Sequence, residues 1–497
     1  MKILLIGMDG VGLEAFSRGW TPYISSLIAQ GKSLELKEDL IMRGWLEIVT
    51  GKNGVETGAL YDRPKANGSY EWNLKFGFNE IPGLGKDIKP IWQVLNEMGY
   101  KVGVMNVPTI FPATKVDGFM VSGGGGGAPV VQTPTPEHCY PIEENPLLVE
   151  DGYIVDERIV PMLVEKKITD MEDIFSILKN KNERKTHSFI RLANKYKIDF
   201  GFLVYRSSSN LAEWLLLPEW KRFGEGAEDV DHAFIDTIKT YYRHFDSEIK
   251  KLHAAFPNTQ IIFAADHSLV PRVWDVNPNI FLQELHFQKS HLGTNFLKQA
   301  INIAKKFVPF SLRAKLRKKN AVHNALYCST SFVINETAAF CKTQGDSLQG
   351  IFINDKERFN GPVKASEFGA IQQDIIKAFN SHPLSKLHGL IAYTKEISDS
   401  SVAKYFPDIV IDVPDGYLIT DRTHSFVKEF TPARGPLNLL SITKGELLCI
   451  KGHKPIAVVY NGGWKVDVHK EPLDLRAVYE HVVNSFQVKK NDSIRIK

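Results

Sequence analysis

Cysteine is scarce in this chain. Cys139, Cys328, Cys341 and Cys449 are spread over 497 residues and form no Cys-x-x-Cys pair. That excludes a zinc-knuckle pattern and argues against a disulfide framework, so buried free thiols are expected. An excess of one charge is lacking too: 61 Lys and Arg stand against 57 Asp and Glu, a formal net charge of +4. So small an excess gives no reason to expect nucleic acid as a partner. Long apolar runs are also missing. None approaches a bilayer span, so no transmembrane segment is expected. The opening Met1-Lys2-Ile3-Leu4-Leu5-Ile6-Gly7 is too short for a signal peptide and no small-residue cleavage site follows it. A reducing cytoplasm is the expected location. No internal repeat or long low-complexity tract is present.

What the chain does have is an ordinary globular composition, 43% hydrophobic and 24% charged. Its length favours a main domain with insertions. Lys2–Ile6 is a short apolar run ending at Gly7-Met8-Asp9-Gly10, which predicts a buried strand and a tight loop. Thr21 to Gln30 has helical spacing, with Pro22 in the first turn. A helix is expected from Lys89 to Met98, then strands at Lys101–Asn106, Phe200–Tyr205 and Gln260–Ala265, the last preceded by a helix from about Phe234 to His253. Strand and helix in alternation predict a parallel sheet with helices on both faces. Active sites in such sheets lie beyond the carboxyl ends of the strands. Asp9 and Asp266 are both expected at that edge.

Asp266-His267, directly after an apolar strand, is the sharpest local pattern. A carboxylate and an imidazole on a sharp loop can both reach a divalent ion, and oxygen and nitrogen donors suit zinc, manganese or iron. A surface pair or a pair supporting other groups is the alternative. Asp9 adds a second acid, or else caps a turn. His424, in Asp421-Arg422-Thr423-His424, is a further candidate, with a structural role as its alternative. The five glycines Gly123–Gly127, followed by Pro129, Pro134, Pro136 and Pro141, invite comparison with a phosphate cradle. No Lys-Ser/Thr follows, so this is not a P-loop, and a flexible loop is the better reading. The basic segment Lys305 to Lys319 reads as a solvated helix face, with contact to an anionic surface as the alternative.

The opening ILLIGMDGVG and the following TPYISSLIAQG resemble the start of the type I phosphodiesterase / nucleotide-pyrophosphatase branch of the alkaline-phosphatase superfamily. KPIWQVLNEMGYKVGVMNVPTIFPATKVDGFMVSGGGG is similar to the matching stretch of its predicted phosphohydrolase/phosphomutase members. IDFGFLVY, IIFAADHSLVP with NPNIFLQEL, TAAFCKTQGDSLQGIFIN, YFPDIVIDVPDGY and the late histidine keep the family's order. The resemblance spans nearly the whole chain. It implies an α/β fold with a central, mostly parallel sheet. The core would comprise residues 1–285 and 385–497, with a Gly/Pro-rich insertion at about 123–185 and an inserted cap-like segment at 286–384.

The resemblance further implies a two-metal site. Asp9, Asp266 and His267 would hold one ion, and His424 would contribute to the other. Three family positions are changed. Counting back ten residues from the glycine of Thr50-Gly51 puts Ile41 where the family has a nucleophilic Thr or Ser. The family's Asp-x-x-x-His element falls in YRSSSNLAEW, with Ser208 and Ala212 at its two ligand positions and Glu213 beside the second. Asp39 is the nearest acid upstream of Ile41.

Two carboxylates and an imidazole can still hold one ion with open positions. The expected function is therefore a metal-dependent phosphoester hydrolase using metal-activated water on a small phosphorylated substrate, with zinc or manganese, one or two ions. Arg43 and Arg206 would neutralise phosphate oxygens, or else serve as structural surface residues. The alternative is a degenerate member kept as a binding or scaffold protein. Mutase chemistry needs a covalent phospho-intermediate, which Ile41 cannot form.

Overall fold

The computed structural model describes the chain except residues 62, 74–75, 130, 157–161, 163–170, 208–231, 291–331, 343–349, 398, 422, 431–448, 470–472 and 493–497. The central sheet has eight strands: β1 (Ile3–Met8), β2 (Lys32–Ser33), β3 (Val102–Met105), β4 (Gly118–Val121), β5 (Cys139–Tyr140), β6 (Phe200–Tyr205), β7 (Gln260–Ala264) and β8 (Ala457–Tyr460). Their spatial order is β2-β8-β7-β1-β6-β3-β4-β5. The inner five, from β7 to β4, are parallel. β8 runs antiparallel to β7 and β2, and β5 antiparallel to β4. This is the mostly parallel α/β sheet that the alternating pattern predicts.

The pleat sorts β1 between two cores, as a period of two requires. Ile3 and Leu5 pack with Trp45, Val104, Phe202 and Ile262 on one face. Leu4, Ile6 and Met8 pack with Phe119, Leu203 and Phe263 on the other. A strand buried on both faces must be apolar at every position, which is why β1, β6 and β7 read as unbroken apolar runs.

Helices cover both faces. The first face takes α2 (Gly44–Thr50), α3 (Ile91–Glu97) and α7 (Arg476–Asp492); the second takes α1 (Pro22–Gln30), α4 (Met171–Tyr196) and α5 (His232–Ala255). On α5, Tyr241, Phe245, Ile249 and Leu252 form one apolar stripe at helical spacing. α4 is less regular, because Lys181 and Lys185 are both fully buried on its inner side. Lys181 Nζ meets Asp156 Oδ1 at 2.7 Å, and Lys185 Nζ donates to the carbonyl of Val155 at 3.1 Å. The burial of these cations is offset by charge and hydrogen bonding.

A second sheet lies outside this core. Its strands run in the order Ala339–Phe340, Gly350–Ile353, Ile409–Asp412 and Ile391–Tyr393, all antiparallel. Together with α6 (Ala365–Ser381) they enclose Ile351, Ile353, Ile375, Phe379, Ile409 and Ile411. The basic segment Lys305 to Lys319 lies outside the described residues. Among the described residues no helix is long and apolar enough to cross a membrane.

Candidate metal centre

β7, β1 and β6 are neighbours, so residues just past their carboxyl ends are brought together at one edge. Gly7 pairs with both Val204 and Ala264 in register. Asp9 follows β1 and donates its backbone N–H to the carbonyl of Tyr205 at 3.1 Å. Arg206 follows β6, and Asp266 and His267 follow β7. Asp9, Asp266 and His267 are all buried, and their ligand-type atoms lie within 4.8 Å of one another. His267 Nε2 is 3.6 Å from Asp266 Oδ2.

Each of the three is set by its surroundings. His267 Nδ1 is 2.8 Å from the carbonyl oxygen of Ser268. A carbonyl only accepts, so Nδ1 carries the hydrogen and the lone pair sits on Nε2, facing the two acids. The indole Nε1 of Trp45 donates to Asp9 Oδ2 at 3.0 Å. Tyr61 Oη lies 3.5 Å from Asp266 Oδ2, and Lys451 Nζ lies over the Tyr61 ring at 3.1 Å. Asp266 Oδ1 is buried and accepts no hydrogen bond among the described residues. Burial pushes the Asp266 carboxyl up to about 6; His267 and Lys451 pull it down while Asp9 raises it further.

An oxygen left unpaired in the interior costs roughly 1–3 kcal/mol. A cation between the two carboxylates and His267 Nε2 would satisfy it. The donor set of two carboxylates and one imidazole suits a divalent ion such as zinc or manganese. The three residues therefore fit a metal ion.

Close backbone approach makes the arrangement possible. A Cβ on Gly7 would lie 2.6 Å from the Trp45 ring, so the bare backbone of β1 makes room for the indole. A Cβ on Gly44 would lie 2.5 Å from the carbonyl oxygen of Asp266, so the first residue of α2 can rest on the Asp266 loop.

No family profile and no curated protein sequence matches the chain. Solved structures do. Phosphonoacetate hydrolase from Sinorhizobium meliloti 1021, in complex with phosphonoformate, is similar with a TM-score of 0.54 and 11% identity, over 98% of this chain and 96% of that one. The same hydrolase in complex with phosphonoacetate gives 0.53 and 11%, with the same coverage. Murine ectonucleotide pyrophosphatase / phosphodiesterase 5 gives 0.46 and 13%, over 98% and 95%. The chain shares the fold of this phosphonoacetate hydrolase, the mostly parallel α/β architecture described above.

On this fold the remaining candidates fall in different places. His424 is exposed and is not part of the Asp9–Asp266–His267 group. Ser208, Ala212 and Glu213 lie outside the described residues. Ile41 is buried in an apolar cluster with Met42, Leu60, Val402 and Phe406, the last two on the connection between the second-sheet strands Ile391–Tyr393 and Ile409–Asp412. Asp39 is turned away into an ion pair with Lys395 and accepts from the Ile41 N–H at 3.3 Å. Arg43 is buried, and its guanidinium donates to the carbonyls of Leu60 at 2.9 Å and Tyr61 at 3.0 Å. Arg206 Nε is 3.6 Å from Asp9 Oδ2, and its Nη1 pairs with Asp156 and donates to the carbonyl of Gly124 at 3.0 Å. Burial works against ionised Asp156, but Arg206 and Lys181 overcome it and hold the carboxyl well below the usual range.

The glycine run differs from the flexible loop expected of it. It is packed between the two arginines. Gly125, Gly126 and Gly127 all have positive φ, and a Cβ on Gly125 would lie 2.5 Å from Arg206 Nη1. Backbone conformation and close contact both require glycine there.

Behind Asp266 lies a group of acids that sequence reading missed. Glu38 and Glu47 are buried, and both Glu38 carboxyl oxygens accept no hydrogen bond among the described residues. Burial, then Glu47, Asp39, Asp266 and Asp474, hold the Glu38 carboxyl well above its ordinary range. No local pattern marks these glutamates: only packing puts them inside.

Proposed function

We propose that the chain is a metal-dependent hydrolase of a small phosphorylated substrate, with one divalent ion, zinc or manganese, held by Asp9, Asp266 and His267. The observation that carries this reading is the buried triad at the sheet edge, in which Asp266 Oδ1 has no hydrogen-bond partner among the described residues. Such an ion would polarise a phosphoryl oxygen and lower the pKa of a bound water, so that attack would not need a side-chain nucleophile at position 41. The chain's own residues prepare the site. Trp45 fixes Asp9, Ser268 fixes the His267 tautomer, and Lys451 and Arg206 moderate the repulsion between the two acids. Phosphonoacetate hydrolase, the similar fold noted above, places phosphonates beside phosphate esters as compounds to test.

We assign substrate choice to the lobe built on the second sheet. We extend this cap past residue 384 to the strands Ile391–Tyr393 and Ile409–Asp412, because Ile409–Asp412 pairs with Gly350–Ile353 on one side and with Ile391–Tyr393 on the other. The buried free thiols of Cys139 and Cys341 favour a reducing, cytoplasmic setting.

A second reading, a binding or scaffold protein, is favoured by one observation: Ile41 is locked into apolar packing with Val402 and Phe406. Metal analysis with turnover separates the two. Protein loaded with zinc or manganese should hydrolyse p-nitrophenyl phosphate mono- or diesters or phosphonates, and Asp266→Ala should lose both that activity and one equivalent of metal. An inert protein that binds metal would favour the scaffold. A wild-type protein with the same metal content as Asp266→Ala would sink the proposed centre.

A further inference from the structure

A second cluster of metal-type ligands lies between α4 and α5, sharing no residue with the sheet-edge triad. Glu183 comes from α4, and His244 and Glu248 from α5. His244 and Glu248 are four residues apart and so share one helix face. Their ligand atoms and that of Glu183 lie within 4.8 Å of one another. His244 Nε2 is 3.9 Å from Glu183 Oε1 and 3.9 Å from Glu248 Oε1.

We propose that Glu183, His244 and Glu248 bind a zinc-class divalent ion that staples α4 to α5. Metal–ligand bonds of about 2.0–2.2 Å in a tetrahedral site place neighbouring donor atoms roughly 3.4 Å apart. The two separations from His244, 3.9 Å each, exceed that spacing by about 0.5 Å. Two buried atoms of the cluster lack hydrogen-bond partners among the described residues. Glu248 is 0% exposed, and its Oε2 accepts no hydrogen bond among the described residues. His244 Nε2 is likewise buried and without a hydrogen-bond partner. Lys251 Nζ meets Glu248 Oε1 at 2.6 Å from a largely exposed side chain, which serves one carboxylate oxygen and leaves the other. Imidazole with two carboxylates suits zinc.

The position gives the staple a consequence. Asn182, next to Glu183, and Tyr241, nearly one turn before His244, both hydrogen-bond the Ser207 hydroxyl at 2.7 Å, and Asn182 Nδ2 donates to Tyr241 Oη at 3.1 Å. Ser207 follows Arg206, the cation beside Asp9. An ion that fixes α4 against α5 one turn away therefore fixes the cradle behind Arg206. It also means that two zinc ions per chain would not require a two-metal centre at the sheet edge.

The test uses the full chain with zinc alone as probe. Zinc content after dialysis and the zinc-dependent shift in Tm are measured for wild type, His244→Ala, Glu183→Gln and Asp266→Ala. We expect His244→Ala to lose one zinc equivalent relative to wild type, and Glu183→Gln to bind that equivalent about tenfold more weakly. Asp266→Ala should keep the zinc-dependent rise in Tm, and adding His244→Ala should abolish it. Glu183 is half exposed, so its variant reports even if His244→Ala folds poorly. Zinc content and Tm shift unchanged in both helix variants would overturn the staple. An unchanged content in Asp266→Ala alone would count against the sheet-edge centre and leave the staple standing.

Discussion

The indole nitrogen of Trp45 donates to Asp9 Oδ2 at 3.0 Å, from the first face of the sheet to the end of its central strand. It anchors one carboxylate oxygen of the triad. Trp45→Phe keeps most of the packing and removes the donor. It should cost about 1 kcal/mol of stability and weaken zinc binding at the sheet-edge site roughly tenfold, read by competition with a chelating dye. Unchanged affinity would reduce Trp45 to a packing residue.

Ile41 stands where the superfamily resemblance expects a hydroxyl nucleophile. In the structure it is held by Met42, Leu60, Val402 and Phe406. Ile41→Thr should therefore lose about 1–2 kcal/mol, from the removed methyl group and the buried hydroxyl, and acquire no phosphoryl adduct on incubation with a phosphoester. Intact-mass spectrometry reads the adduct and urea unfolding reads the stability. An adduct at position 41 would show that the side chain reaches substrate and favour a covalent route.

Arg206 is held between Asp9 and Asp156. Its charge opposes a metal cation at Asp9 as well as supporting the fold. Arg206→Gln should lower stability by about 2 kcal/mol, because Asp156 then keeps Lys181 as its chief cation. The same change should tighten zinc binding at the triad severalfold. Weaker zinc binding in a folded variant would show that Arg206 positions Asp9 more than it competes for it.

Glu47 sets a dependence on pH. Burial, with Asp474 and Asp39, pushes its carboxyl up to about 8, against the opposing pull of Arg476 and the Gly54 N–H. Between the ordinary value near 4.5 and about 8, the folded chain holds a proton that the unfolded chain has released. Stability from this group is therefore full below about pH 4.5 and is lost as pH rises to about 8. Glu38 acts in the same direction. Glu47→Gln should flatten the fall in urea midpoint between pH 5 and pH 8. An equally steep fall in the variant would assign it to other groups.

Sequence alone determined the frame. β1, β6 and β7 are strands buried on both faces, so each is a local apolar run, and the turn residues that end them put Asp9, Arg206, Asp266 and His267 at strand termini. Period and punctuation are properties of neighbouring residues and can be read without coordinates. Tertiary structure decided everything that depends on residues far apart in the chain. Trp45 reaches Asp9 because Gly7 has no side chain to block it. The glycine run is packed because two arginines flank it. Glu38 and Glu47 are interior although nothing in their flanking residues marks them. Arg206 is engaged by Asp156, and His424 stays exposed. Glu183 meets His244 and Glu248 only because two long helices pack side by side. Such contacts follow from how separate elements dock, and spacing along the chain carries no record of them.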